Sequence, residues 1–298
     1  MDGLRRILVC SATVALSTTT ALAASAGPAA ASHIGCGDTI TVSTTFDSNV
    51  GPCETGLVIG ADDVTLDLNG FTLSGTPAVG DGPGIDISGR SGVTVRNGTI
   101  TQFDAGVAIT GGSGNTISDN LVRNNGPYSG ISLVASSGNL VEHNQVTGNN
   151  QSTTNTSGIR VENVGQTSSN SNTIRDNLVQ GSALDGIQLF AGSSDNLVSH
   201  NVSVQNNRDG ITAFAGSKRN TIEDNEVRYN GFGPIAGNGI YIRGAAGSFP
   251  APSANVIRRN VSTNNALFDL RDGTPGCGTN VWSANQGVTG TPPCVFNP

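Results

Sequence analysis

Two aspartates, Asp185 and Asp209, each stand directly before a glycine, in Leu184-Asp185-Gly186 and Arg208-Asp209-Gly210. Carboxylates brought side by side can share a proton, hold calcium or divide acid and base roles across a glycosidic bond. An Asp-Gly pair also caps a tight turn with no further chemistry. No catalytic residue is assigned, and Asp185 and Asp209 are the candidates. A second set is Asp119, His143, Asp176, His200, Asp224 and Arg259, each directly before an asparagine. His143, Asp176 and His200 are residue types that bind copper or zinc. A surface ladder of mutually compensating charges would use the same residues. A third set mixes rings and charges: Arg160, Glu162, Gln188, Phe190, Phe214, Tyr241 and Arg243. Rings offer an apolar face to a sugar, and polar groups satisfy its hydroxyls. This set is the candidate substrate-binding surface.

A repeat positions all three sets. The motif Asn-x-(Ile/Val)-x-x-Asn recurs at 115–120, 139–144, 172–177, 196–201, 220–225 and 255–260, with Trp282 replacing the aliphatic residue at 280–285. Most steps are 24 or 25 residues, and two longer ones carry insertions. A second motif, glycine followed by alternating apolar residues, interleaves with it, as in Gly130-Ile131-Ser132-Leu133. Alternation with period two marks a strand. Short strands in a 24-residue unit cannot close a core alone, but stacked units can. Ile117, Val141, Ile174, Val198, Ile222, Ile257 and Trp282 then form one interior column, and Ile131, Ile159, Ile187, Ile211 and Ile240 another.

The asparagines should occupy the tight corners, where they tolerate the left-handed region. Stacked amides can also bond into ladders. One predicted ladder runs Asn120, Asn144, Asn177, Asn201, Asn225, Asn260, Asn285. A second runs Asn125, Asn149, Ser182, Asn206, Asn230, Asn265.

Strand alternation predicts what faces outward. Asp86, Ala108, Ser132, Arg160, Gln188, Thr212, Tyr241 and Asp269 make one outward column. Ser88, Thr110, Val134, Glu162, Phe190, Phe214, Arg243 and Arg271 make the next. The lower coils are featureless, whereas the upper ones gather the candidate surface. Insertions at about 148–157, 163–171, 231–238 and 245–253 should wall it. Phe190 and Phe214 packing beneath those loops is the plainer alternative.

Composition narrows the function classes. The formal net charge is −7 and Lys218 is the only lysine, which argues against nucleic acid and anionic membranes. Glycine and asparagine are abundant, with 41 and 31 copies, yet regularly spaced aliphatics exclude a disordered linker. Arg5 and Arg6 followed by an apolar stretch read as a signal peptide over residues 1–23, cleaved after Ala23 or as late as Ala31. The exported chain is not expected to insert in a membrane. Cys36, Cys53, Cys277 and Cys294 remain and should form disulfides. Of three connectivities, the local pairs Cys36–Cys53 and Cys277–Cys294 are the simplest.

The repeat resembles that of the right-handed parallel β-helices of the pectin-lyase-like superfamily. It is most similar to the NosD-like group, also described as carbohydrate-binding and sugar-hydrolysis repeats. Cys36-Gly37-Asp38-Thr39-Ile40, Ala61 to Gly70 and the closing Phe268 to Trp282 carry the resemblance. It implies an all-β, right-handed parallel β-helix of about ten coils with disulfide-bonded N- and C-terminal caps. The organisation read from the sequence is a signal peptide (1–23), linker and cap (24–60), repeats (61–265), and a closing coil and cap (266–298). Gly-His-Gly and Arg-Ile-Lys, which polygalacturonases would show, are missing. The resemblance implies a secreted, monomeric protein that binds, and in an enzyme would cleave or epimerise, an extracellular glycan. The alternatives are a structural surface protein or a copper accessory protein, since the NosD-like group is associated with copper delivery. No cofactor is required, and calcium is the ion the carboxylate pair would suit.

Overall fold

The computed structural model describes residues 33–76, 82–149 and 157–296. The proposed signal peptide and both cleavage positions lie outside these residues, as does most of the 148–157 insertion. The chain winds through three parallel sheets of 11, 10 and 9 strands. Each coil adds one strand to the first sheet, then the second, then the third, and every strand pairs with its equivalent one coil away. The architecture is an all-β parallel solenoid of about ten coils. No helix among the described residues is long and apolar enough to cross a membrane.

The aliphatic columns stack residue over residue. Ile131, Ile159, Ile187, Ile211 and Ile240 are direct partners in the first sheet. Ile117 through Trp282 do the same in the second. All are buried, each worth roughly 1.5–3 kcal/mol of apolar burial. In the third sheet Ser203 and Ser262 interrupt a valine column. Each hydroxyl donates to a backbone carbonyl of its own coil, Gly210 O at 2.7 Å and Asp269 O at 2.6 Å, so neither of these two donors is left unmatched. Space explains the strand glycine: at Gly210 an added Cβ would lie 2.3 Å from Val227 Cγ1.

The first predicted ladder is continuous, and Ser182 interrupts the second. From Asn120 to Asn285 each Nδ2 donates to the next coil's Oδ1 at 2.9–3.2 Å. Each backbone N–H donates to that same oxygen, as at Asn177 to Asn201. The second ladder runs from Asn125 to Asn149 and again from Asn206 through Asn230 to Asn265. A third, unforeseen ladder joins Asn115, Asn139, Asn172, Asn196, Asn220, Asn255 and Asn280. These are the first asparagines of the motif.

Two expectations need correction. The ladder asparagines do not adopt the left-handed conformation; the residue before each does. Asp119, His143, Asp176, His200, Asp224 and Arg259 have φ of 54–57°. The amide is therefore spared for bonding while its neighbour turns the corner. The last coil is also shifted by two residues: Tyr241 pairs with Arg271, not Asp269. Phe268-Asp269-Leu270 lacks the strand glycine that marks the register elsewhere.

The Cys36–Cys53 and Cys277–Cys294 disulfides are both present and tie down the two ends of the solenoid.

Candidate functional site

The outer face of the first sheet carries the candidate surface. Arg160, Gln188, Thr212, Tyr241 and Arg271 stand in one row, and Glu162 and Phe190 pair in the next. Arg160 Nε donates to Glu162 Oε2 at 2.8 Å, and its guanidinium lies 4.6 Å from the Phe190 ring centre. Phe190 and Phe214 are 5.5 Å apart, and Phe249 from the 245–253 insertion packs on both at 5.8 and 6.3 Å. Arg243 lies over Phe214 and Tyr241, and Arg271 over Tyr241 at 4.6 Å. Stacked cations and rings of this kind hold one another in place.

Asp185 and Asp209 sit at the turn that enters this sheet, both without exposed surface. Asp185 accepts from Arg208 Nε at 2.8 Å and Nη2 at 2.5 Å, and from Gln188 Nε2 at 2.8 Å. It also accepts the Asp209 backbone N–H at 3.2 Å. Asp209 in turn accepts the N–H and side-chain amide of Asn238 and a short bond from Arg243 Nη2. Each carboxylate thus caps the next coil's turn and is neutralised by an arginine. Burial, with Asp185 alongside, raises the Asp209 pKa; Arg243 and Asn238 only partly offset this. For Arg208 the two aspartates outweigh desolvation, the largest single influence, and raise its pKa. Gln188, in the outward row, folds down onto Asp185 and is 5% exposed. It contributes to the network rather than to the open surface.

Two depressions open on this face. One of about 370 Å³ lies over the lower coils, lined by Ala108, Ser132, Val134 and Tyr128 and ended by Arg160 and Glu162. These coils are not featureless: small outward residues leave the hollow, and Tyr128 from a turn forms its rim. The other, of about 620 Å³, is lined by Glu162, Asn163, Phe190, Lys218, Phe249 and Pro250. Short antiparallel contacts, Val164 with Thr167 and Ala246 with Phe249, shape its walls. The 231–238 insertion instead covers Leu184 and Arg208 on the other edge of the sheet.

The Asp/His column does not assemble a metal centre. Among the described residues no three His, Cys, Asp or Glu side chains converge to hold an ion. His143, Asp176 and His200 occupy successive left-handed corners. Their neighbours are charges of opposite sign: Arg175 reaches Glu142 and lies 3.5 Å from Asp176, and Arg259 holds Asp224 at 2.7 Å. That bond, as its main cause, keeps the Asp224 carboxyl below its usual range. Four of the five cysteines are in disulfides. Among the described residues, the side chains of this column do not form a donor set that fits a copper centre.

Sequence reasoning missed Arg208, Asn238, Phe249 and Tyr128. Arg208 had a signal, since it lies one coil on from Asp185. Asn238 had one too, since it stands directly before Gly239 as Asp185 and Asp209 stand before their glycines, whereas Phe249 and Tyr128 belong to turns where the repeat gives no position.

Solved structures similar to this chain include an alginate lyase, a tailspike protein and an alginate epimerase. Alginate lyase from Paenibacillus superposes with a TM-score of 0.69 at 14% identity, over 89% of this chain and 99% of that one. The Dettilon tailspike protein gives 0.66 at 16%, over 85% and 54%. The periplasmic alginate epimerase AlgG gives 0.60 at 19%, over 81% and 58%. At these identities the likeness is one of fold. No curated protein matches the chain. Residues 37–289 match the family described as periplasmic copper-binding protein (NosD), and the chain belongs to that family.

Proposed function

We propose that this protein is exported and binds an extended acidic polysaccharide along the outer face of the first sheet, without cleaving it. The observation that carries this reading is the meeting of the two depressions at Glu162. Together they make a trough from Pro83 to Pro250, crossing six strand spacings, on the order of 29 Å. Tyr128, Phe190 and Phe249 offer ring faces along it, and Lys218 stands in its upper part. Arg271 lies over Tyr241 with no carboxylate partner among the described residues, so a positive charge is available to a uronate. The fold shared with an alginate lyase and an alginate epimerase supports the same substrate class. The family's periplasmic description and the two disulfides support export.

Binding rather than turnover follows from the carboxylates. A general base must reach the sugar with its lone pair free. Asp185, Asp209 and Glu162 are each engaged by an arginine, and the two aspartates are buried. Calorimetric titration with alginate and polygalacturonate oligomers tests the reading, with product absorbance followed in parallel. Saturable binding is expected, weakened about tenfold by Arg271→Ala or Phe190→Ala, with no product. Failure to bind either polyuronate would defeat the proposal.

A further inference from the structure

A second aromatic site lies where the chain leaves the third sheet. Tyr229 is 47% exposed and Phe232 is 68% exposed. With Gln205, Asn206, Asn207 and Gly233 they line a depression of about 350 Å³. This chain has few rings, only 4% of its residues, and buries most of the rest or packs them on one another.

The backbone supplies an independent observation. Tyr229 has φ of 57°. It fills a corner that other coils give to Asn124, Gly148, Gly181, Gln205 and Asn264, all at positive φ. Glycine and asparagine turn that corner with little strain, but a bulky side chain does not. Tyr229 is the only Phe, Tyr or Trp at a left-handed position among the described residues. The positive φ belongs to the corner itself; the choice of an aromatic side chain there, with the ring 47% exposed, is what the fold does not require.

The polar groups describe the ligand. Gln180 Nε2 donates to Gln205 Oε1 at 2.7 Å, which holds the exposed Gln205 amide. The lining contains no charged side chain. Ring faces with amide donors and no charge suit a neutral sugar ring, whose axial C–H groups stack while its hydroxyls take hydrogen bonds. We infer that Tyr229 and Phe232 form a second, separate site for a neutral polysaccharide, with Gln205 and Asn207 as its hydrogen-bonding side chains.

Native electrophoresis of the full exported chain through gels containing barley β-glucan, galactomannan, dextran or alginate tests this. Retardation is expected in at least one neutral gel and should be lost in Phe232→Ala and in Tyr229→Asn. Both variants should migrate in alginate as the parent chain does, so failure here is separable from failure of the trough. Tyr229→Asn should melt no lower than the parent, because asparagine suits the corner. If Tyr229→Asn does melt lower, Phe232→Ala, on an exposed loop, still decides. Unretarded migration of the parent in all three neutral gels overturns the proposal. So does retardation that survives Phe232→Ala.

Discussion

The corner between the second and third sheets and the two turns bordering the first sheet obey different rules. From Thr116–Ser118 onward, every second-sheet strand up to Val256–Arg258 is joined to its third-sheet partner by two residues. One is left-handed and the next is a ladder asparagine. The turns bordering the first sheet vary freely: Arg228 to Ile240 is far longer than Val204 to Ile211, and Ile242 to Val256 far longer than Ala213 to Thr221. Every insertion, every stacked ring and the Asp–Arg network lie beside these variable turns. A corner of constant length whose asparagine amides are fully bonded sets the register, and this leaves the opposite edges free to vary in length and shape. Breaking each region should therefore produce different failures.

The largest effect is expected at the corner. Asn201 Nδ2 donates to Ile174 O, Ser199 O and Asn225 Oδ1, while its Oδ1 receives two bonds from Asn177. Asn201→Leu removes all five and strands buried groups in two coils. At 1–3 kcal/mol per orphaned group, a loss of about 4 kcal/mol follows. For a chain of this size that is a fall in Tm on the order of 8–16 °C. Because each coil touches only its neighbours, protection from hydrogen exchange should fail first beside residue 201. A drop as small as that of a surface substitution would show that the ladder is decorative.

The Asp–Arg network should respond differently. Arg208→Met leaves Asp185 buried without its main partner, costing about 3 kcal/mol. Removing both charges, in Arg208→Met with Asp185→Asn, should recover most of the loss, since the pair exists to balance itself. No second substitution should rescue Asn201→Leu in this way. Thermal melts of the double-mutant cycle check the contrast, and strict additivity would erase it.

How much of this could be read in the sequence follows the same division. The ladders from Asn120 and Asn125, the aliphatic columns and the rows on the first sheet all repeat, so spacing placed them. The Asn115 ladder is equally legible, since its members are the first asparagines of the same motif. The closing coil was misplaced because Phe268-Asp269-Leu270 carries no glycine. Phe249 and Tyr128 could not be placed: an insertion has no equivalent in neighbouring coils, and their positions depend on the rings they meet.

A pH series sharpens the comparison further. The Asp209 pKa is raised above 3.8 by burial. A carboxyl with a raised folded pKa contributes stability below its unfolded pKa and loses it as pH rises through the folded value. Asp209→Asn imitates the protonated form. Its Tm relative to the parent should therefore rise as pH goes from below 3.8 toward neutrality. Asp224 has the opposite sign. Its pKa is lowered, chiefly by Arg259, so its contribution is present above 3.8 and is lost as pH falls through the lower folded value. Being exposed and screened, it is worth less than about 1 kcal/mol. Melts of Asp209→Asn and Asp224→Asn across that range should diverge in opposite directions. Parallel curves would mean that the buried carboxylate is no less at ease charged than the surface one.

The smallest effect is expected in the left-handed column. His143 and His200 turn corners at φ of 54° and 56°, with side chains outside the core. Asparagine adopts that conformation at least as readily. His143→Asn with His200→Asn should thus change stability by no more than about 0.5 kcal/mol. The family's description makes copper the critical ligand for this pair. An ion that bound the folded chain would raise its Tm, by about 2.7 kcal/mol of stability at a hundredfold excess over Kd. With no three donors converging among the described residues, added Cu²⁺ should shift the parent and the double variant equally. A copper-dependent rise in the parent alone would mean that two corners of the solenoid, so far assigned to turning the chain, also hold a metal.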